Sequence, residues 1–183
     1  VWKDRWDIFE NKPIRNHSAA SYFVRKVVNS NPERIVELDR LYSTHPRMIV
    51  FYNFTYELEA IIEYAKSKGI PHSQWNGKKH EAMIDGDTWL YLVQYTACEG
   101  WNCITTDTIV FFSLNYSYRI VTQAAGRIDR LNSPYTDLYY YHLYSDSEID
   151  KGIRDAYQKK KVFNEKKFCS DSFEKVLSGK KAT

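Results

Sequence analysis

Apolar side chains recur first with a helical period. Ala20, Phe23, Val24, Val27 and Val28 fall on one face, and this segment ends at the turn-rich Asn29-Ser30-Asn31-Pro32. Asn31 suits a cap and Pro32 a first helical position, so a second helix begins there. Its stripe is Ile35, Leu38, Leu41 and Tyr42, and Thr44-His45-Pro46 stops it. From residue 48 the pattern changes to short apolar runs between polar or helical connections. Strands are predicted over residues 48–52, 70–75, 89–94, 108–114 and 138–144. Met-Ile-Val-Phe-Tyr and Thr-Ile-Val-Phe-Phe are apolar on both faces, as strands are when helices cover both sides of a parallel sheet.

The spacing also predicts an amphipathic helix over 56–68, ended by Gly69. Ser145-Asp146-Ser147 can cap a later helix carrying Ile149, Ile153, Ala156, Tyr157 and Phe163, which should pack back onto the sheet. Beyond Phe168 the periodicity fades, and residues 178–183 read as a frayed tail. Tyr139, Tyr140 and Tyr141 lie in the last strand and are expected to be largely core. The expected fold class is α/β, a mostly parallel central sheet flanked by helices. The chain divides into a helical lead-in (1–45), a sheet-bearing lobe (46–145), a bracing helix (146–168) and a basic tail (169–183).

Composition narrows the function classes. With 43% hydrophobic and 27% charged residues, the 183-residue chain is of the globular kind, long enough for one well-buried domain. No apolar run approaches the roughly 20 residues of a membrane span, and residues 1–5 lack a signal-peptide core, so a cytoplasmic protein without membrane partners is expected. Cys98, Cys103 and Cys169 form no C-x-x-C pair, which suits a reducing compartment and offers no zinc or other metal site. The net charge of +3 is uneven, because residues 151–183 carry 10 Lys/Arg against 4 Asp/Glu. Such a segment either attracts a polyanion or is the solvated face of a helix.

The most informative stretch is Gln123-Ala124-Ala125-Gly126-Arg127-Ile128-Asp129-Arg130. Gln123, Arg127 and Arg130 stand at i, i+4 and i+7, so a helix would project all three to one side. Two guanidiniums there can stabilise charge on a transferring phosphoryl group, or can pair with acids such as Asp129 and Asp137. Upstream, the strand over 89–94 runs through Tyr95-Thr96-Ala97-Cys98-Glu99 into Gly100-Trp101-Asn102, a glycine turn expected at the C-terminal edge of the sheet.

This ordered pair, strand then Gly-Trp-Asn, and strand–helix then Gln-x-x-Gly-Arg-x-x-Arg, resembles the second RecA-like lobe of superfamily-two helicases. The likeness is nearer to Swi/Snf-type DNA translocases and similar phage-encoded DNA helicases. It extends to Phe23-Val24-Arg25-Lys26, to residues 48–54, to Asn76-Gly77 and to Tyr141-His142-Leu143 through Ile149-Asp150, from about residue 20 to about residue 168.

The resemblance implies that Arg127 and Arg130 reach ATP phosphates, with Arg130 as the arginine finger and Gln123 organising the cleft. It places Gly100, Asn102 and Gly126 near the nucleotide, and Asn53, Asn76, Gly77 and Gln94 along a nucleic-acid backbone. Asn53, Asn76 and Gln94 also suit ordinary turn-capping or strand-end amides.

Gln94-Tyr95 departs from the family's usual Ser-Thr, and the connection from Gly77 to Thr88 is short, as in a compact phage or bacterial enzyme. No G-x-x-x-x-G-K-[ST] occurs, since Gly77-Lys78 and Gly179-Lys180 lack its spacing, and Ile84-Asp85-Gly86-Asp87 precedes a strand. ATP and magnesium would therefore be held mainly by an N-terminal RecA-like partner lobe, and this chain alone is expected to be inactive. Gln at 123 and Asn at 102 favour DNA as the polymer. An RNA helicase, a restriction-system motor lobe and a non-catalytic nucleic-acid-binding module are the alternatives.

Overall fold

The computed structural model describes the backbone of residues 6–177 and side chains as far as residue 172. The readings of residues 1–5 as lacking a signal peptide and of 178–183 as a tail lie outside the described residues.

A short antiparallel pair opens the chain, β1 (Trp6–Asp7) with β2 (Lys12–Pro13). It went unforeseen because two-residue strands carry no periodicity. Next comes α1 (His17–Asn29), whose first turn is capped by Asn16 Oδ1 accepting from Ala19 N at 2.8 Å. In α2 (Glu33–Thr44) the N-cap is Pro32, one residue later than expected, and Asn31 Oδ1 accepts from Glu33 N at 3.0 Å just ahead of the helix.

The sheet strands and their connections follow: β3 (Arg47–Tyr52), α3 (Thr55–Ser67), β4 (His72–Trp75), β5 (Trp89–Gln94), a 3₁₀ turn at Tyr95–Ala97, β6 (Thr108–Phe111), α4 (Tyr118–Ala125) and β7 (Tyr139–His142). All five strands pair in parallel in the order β4-β5-β3-β6-β7. The chain leaves β3 toward β4 and leaves β6 toward β7, so the switch in winding direction lies between β3 and β6. Alternation along each strand feeds two cores. Met48, Val50, Tyr52, Leu90, Leu92 and Val110 pack with α2 and α3 on one face. Ile49, Phe51, Trp89, Tyr91, Val93, Ile109 and Phe111 pack under α4 on the other.

Two helices complete the fold. The first, α5 (Glu148–Gln158), is capped by Ser147 Oγ, which accepts from Asp150 N at 3.3 Å. The second is α6 (Glu165–Leu177). The expected stripe through Phe163 is interrupted: Lys160 takes a φ of +52°, Lys161 N bonds back to Ala156 O at 2.8 Å, and the helix ends. Phe163 then folds against Gly152, where a Cβ would come within 2.8 Å of its ring. Residues beyond Phe168 continue as helix, because Phe168 and Cys169 have Ala20 and Phe23 of α1 to pack against.

Two further expectations are corrected at the far edge. The strand over 108–114 ends at Phe111, where the carbonyls of Phe112 and Leu114 turn away to accept from Arg34 and Arg25. Tyr139–Tyr141 is not largely core: β7 is an edge strand, Tyr139 is 40% exposed, and Tyr140 and Tyr141 are half-buried. Among the described residues, no helix is long and apolar enough to cross a membrane.

Candidate functional site

Ser117 caps α4, and the helix stops at Ala125 with Gly126 as its C-cap. Arg127 and Arg130 thus lie beyond the helix, and the i, i+4, i+7 projection from a continuous helix does not hold. A chain of turns positions them instead: Arg127 N donates to Ala124 O at 3.1 Å, and Ser133 N donates to Arg130 O at 2.9 Å. The apolar stripe persists through the turn, because Ile128 is fully buried beside Val121 and Ala124.

The turn is stitched to Gly100-Trp101-Asn102. Cys103 N donates to Arg127 O at 3.0 Å, Arg127 Nη1 donates to Trp101 O at 3.1 Å, and Arg130 Nη2 donates to Asn102 Oδ1. Gly100 has a φ of +88°, a conformation that suits glycine and lets the loop reverse. Trp101 drives the loop inward. Its ring stacks 6.2 Å from Phe51 and meets Tyr91 edge-on at 5.3 Å, so the loop packs on the α4 face of the sheet, with Gly100 beside Trp75 at the C-terminal end of β4.

Both guanidiniums are half-buried. No carboxylate among the described residues lies within ion-pair distance of either, Asp129 and Asp137 included. The Nε atoms of Arg127 and Arg130 are buried without an acceptor, as is the indole N–H of Trp101. Burial pushes the nearby Cys98 thiol up, against the pull of Arg127. Gln123 is half-buried on α4 and makes no side-chain hydrogen bond among the described residues, so the structure does not tie it to the two arginines.

A second cluster sits at the C-terminal ends of β3, β4 and β5. Asn76, Gly77 and Gln94 line a groove of about 430 Å³ with Tyr52, Thr55, Lys78 and Lys79. Asn76 Oδ1 accepts from Lys78 N at 3.0 Å and Lys79 N at 3.1 Å, which fixes the turn that presents both lysines. Burial pushes the Tyr52 phenol up to about 12. Gln94 Nε2 reaches Asn53 O at 3.5 Å.

Neither family models nor curated proteins match this chain. Solved structures do. The crystal structure of the C-terminal part of the Fun30 ATPase domain superposes with a TM-score of 0.66 at 16% identity, over 80% of this chain and 54% of that one. The fold is a RecA-like lobe. The lobe spans about half the length of that structure, and 188 solved chains match it, so the likeness fixes architecture and leaves chemistry to the side chains.

Within the lobe, Asn53 is not free to reach outward. Its Nδ2 donates to Ser113 Oγ at 2.7 Å and Leu114 O at 3.0 Å, and its Oδ1 accepts from Asn115 Nδ2 at 2.8 Å. The strand-end reading of that amide describes what it does in this structure. Sequence reasoning missed Trp101 as the residue that seats the loop, and Lys78 and Lys79 as groove residues. The Gly77-Lys78-Lys79 run was the available signal for the lysines. Among the described residues no three His, Cys, Asp or Glu side chains converge as a metal site would need.

Proposed function

We propose that this lobe is the C-terminal half of the motor of an ATP-dependent DNA helicase or translocase, of the kind found in phage and bacteria. The observation that carries the reading is the pair of arginines held against the Gly-Trp-Asn loop with no acid among the described residues to neutralise them. Surface arginines usually find carboxylates at little cost. Two half-buried ones with no carboxylate partner among the described residues leave their charge to an external anion.

A nucleotide phosphate fits these groups. Guanidinium donors in a fork match its oxygens, and the positive charge stabilises negative charge that grows in the transition state. Arg130 is the finger and Arg127 its neighbour on the phosphates. Asn102 holds Arg130 until the phosphate takes its place, and Gly100 and Gly126 lie near the nucleotide. Gln123, one turn upstream, would help to organise this cleft once nucleotide is bound, since it makes no side-chain hydrogen bond to either arginine. ATP with magnesium supplies the phosphoryl group that is transferred to water. The phosphate-binding loop and the magnesium ligands belong to an N-terminal RecA-like partner lobe, since this sequence has neither.

The groove at Asn76, Gly77 and Gln94 is the nucleic-acid track, with Lys78 and Lys79 on phosphates and Asn53 organising the strand ends behind it. Its amides and ammonium groups suit a phosphodiester backbone and read no sequence.

ATP hydrolysis tests this. The lobe alone should show no turnover; joined to a first lobe bearing a phosphate-binding loop and an Asp-Glu pair, it should hydrolyse ATP faster when DNA is added. Turnover by the lobe alone, or none in the joined protein, contradicts the proposal.

A further inference from the structure

The lobe carries a cluster of rings beside the groove that neither its core nor its arginine site uses. Phe54 and Tyr56, at the start of α3, lie nearly parallel, 5.3 Å apart with 12° between their planes. Tyr22, on α1, stands across both at 5.4 and 6.0 Å, with interplanar angles of 86° and 77°. Phe54 and Tyr56 are half-buried, while Tyr22 remains 38% exposed.

The support beneath these rings is rigid. Glu57 accepts from Asn53 N at 2.8 Å and Phe54 N at 3.4 Å, and so fixes the entry to α3. The buried Arg25 guanidinium lies 5.6 Å from the Phe54 ring centroid. Thr55, between Phe54 and Tyr56 in sequence, lines the groove. Adjacent residues, about 3.8 Å apart along the chain, thus serve the groove and the ring cluster.

We propose that Tyr22, backed by Phe54 and Tyr56, forms a stacking platform for unpaired bases, and that the nucleic acid taken by this lobe is single-stranded. The proposal rests on the groove being a phosphate track. A duplex keeps its base faces inside and offers a ring cluster nothing to stack on, whereas a single strand presents one face per nucleotide. Charge alone is a weak attraction here. Lys79 is shared with Glu81 at 3.5 Å, Lys26 beside the platform is shared with Glu10 at 3.4 Å, and Lys78 has no carboxylate partner among the described residues. Stacking, at roughly five- to 150-fold in affinity per base, then decides which form of nucleic acid binds.

Fluorescence anisotropy of the full chain, with labelled oligodeoxythymidylate and a duplex of equal length, separates the two claims. The single strand should bind more tightly. Tyr22→Ala should weaken it roughly tenfold and leave the duplex unchanged, and Tyr22→Phe should bind like the wild type. Lys78→Glu should weaken both probes. If Lys78→Glu weakens both while Tyr22→Ala alters neither, the platform is wrong and the phosphate track stands. Equal binding of the two forms by the wild type also overturns the platform, and uptake of neither at low salt removes platform and track together.

Discussion

Glu57 shows how much one buried side chain can decide. It is 1% exposed, and all its partners are donors: Asn29 Nδ2 at 2.8 Å on Oε1, and Asn53 N, Phe54 N and Ser113 Oγ on Oε2. Burial raises its pKa, while Asn53 N and the charge of Arg25 pull the other way. An amide in its place turns an N–H₂ toward N–H and O–H groups. Glu57→Gln should therefore cost about 2 kcal/mol, read from the midpoint of urea unfolding. Lys78 belongs to the opposite class, an exposed charge that the fold does not need and that the proposed track would use. Lys78→Ala should leave that midpoint within about 0.5 kcal/mol of wild type and reduce the salt slope of DNA affinity by about 1, measured by anisotropy across a salt series.

Among the elements, α2 and α5 are clamped across the strand ends by a single arginine. Arg34 pairs with Asp150 at 3.1 Å, their side chains 6% and 0% exposed, and also donates to Phe112 O at 2.7 Å and Leu143 O at 2.8 Å. Burial lowers the pKa of Arg34 against the pull of Asp150. Asp150→Ala leaves a buried cation unpaired and should cost about 3 to 5 kcal/mol in chemical denaturation.

The sheet was legible in the sequence at this scale, because runs apolar on both faces leave little choice but a covered parallel strand. Helix ends were harder to read. Val121, Ala124 and Ile128 keep a helical spacing across the end of α4, since a turn can bury Ile128 as well as a helix can, and periodicity runs through the break. The start of α6 was hidden for a related reason: its few apolar residues need only the narrow face of α1. Tyr139–Tyr141 misled because strand character does not say whether a strand is central or at the edge. Gly100 and Asn102 were singled out by their types; that Trp101 would pack their loop onto the sheet face depended on Phe51 and Tyr91, distant in sequence.

The whole lobe offers two surfaces with different chemistry. One is the arginine pair and Gly-Trp-Asn loop on the α4 face, and the other is the groove of amides and lysines at the C-terminal strand ends. The chain after β5 joins them: β5 ends at Gln94 in the groove, and Tyr95–Ala97 leads on into the loop held by Arg127 and Arg130. On the proposed reading, a change at the two arginines would reach the groove along this short stretch of chain. The most direct measurement is ATP turnover by the lobe joined to a first lobe, with Arg130 replaced by Ala. Turnover should fall by a factor on the order of 10³ while DNA affinity and unfolding midpoint stay at wild-type values. Turnover equal to wild type would remove Arg130 from the phosphate site and with it the reading of this lobe as half of a motor.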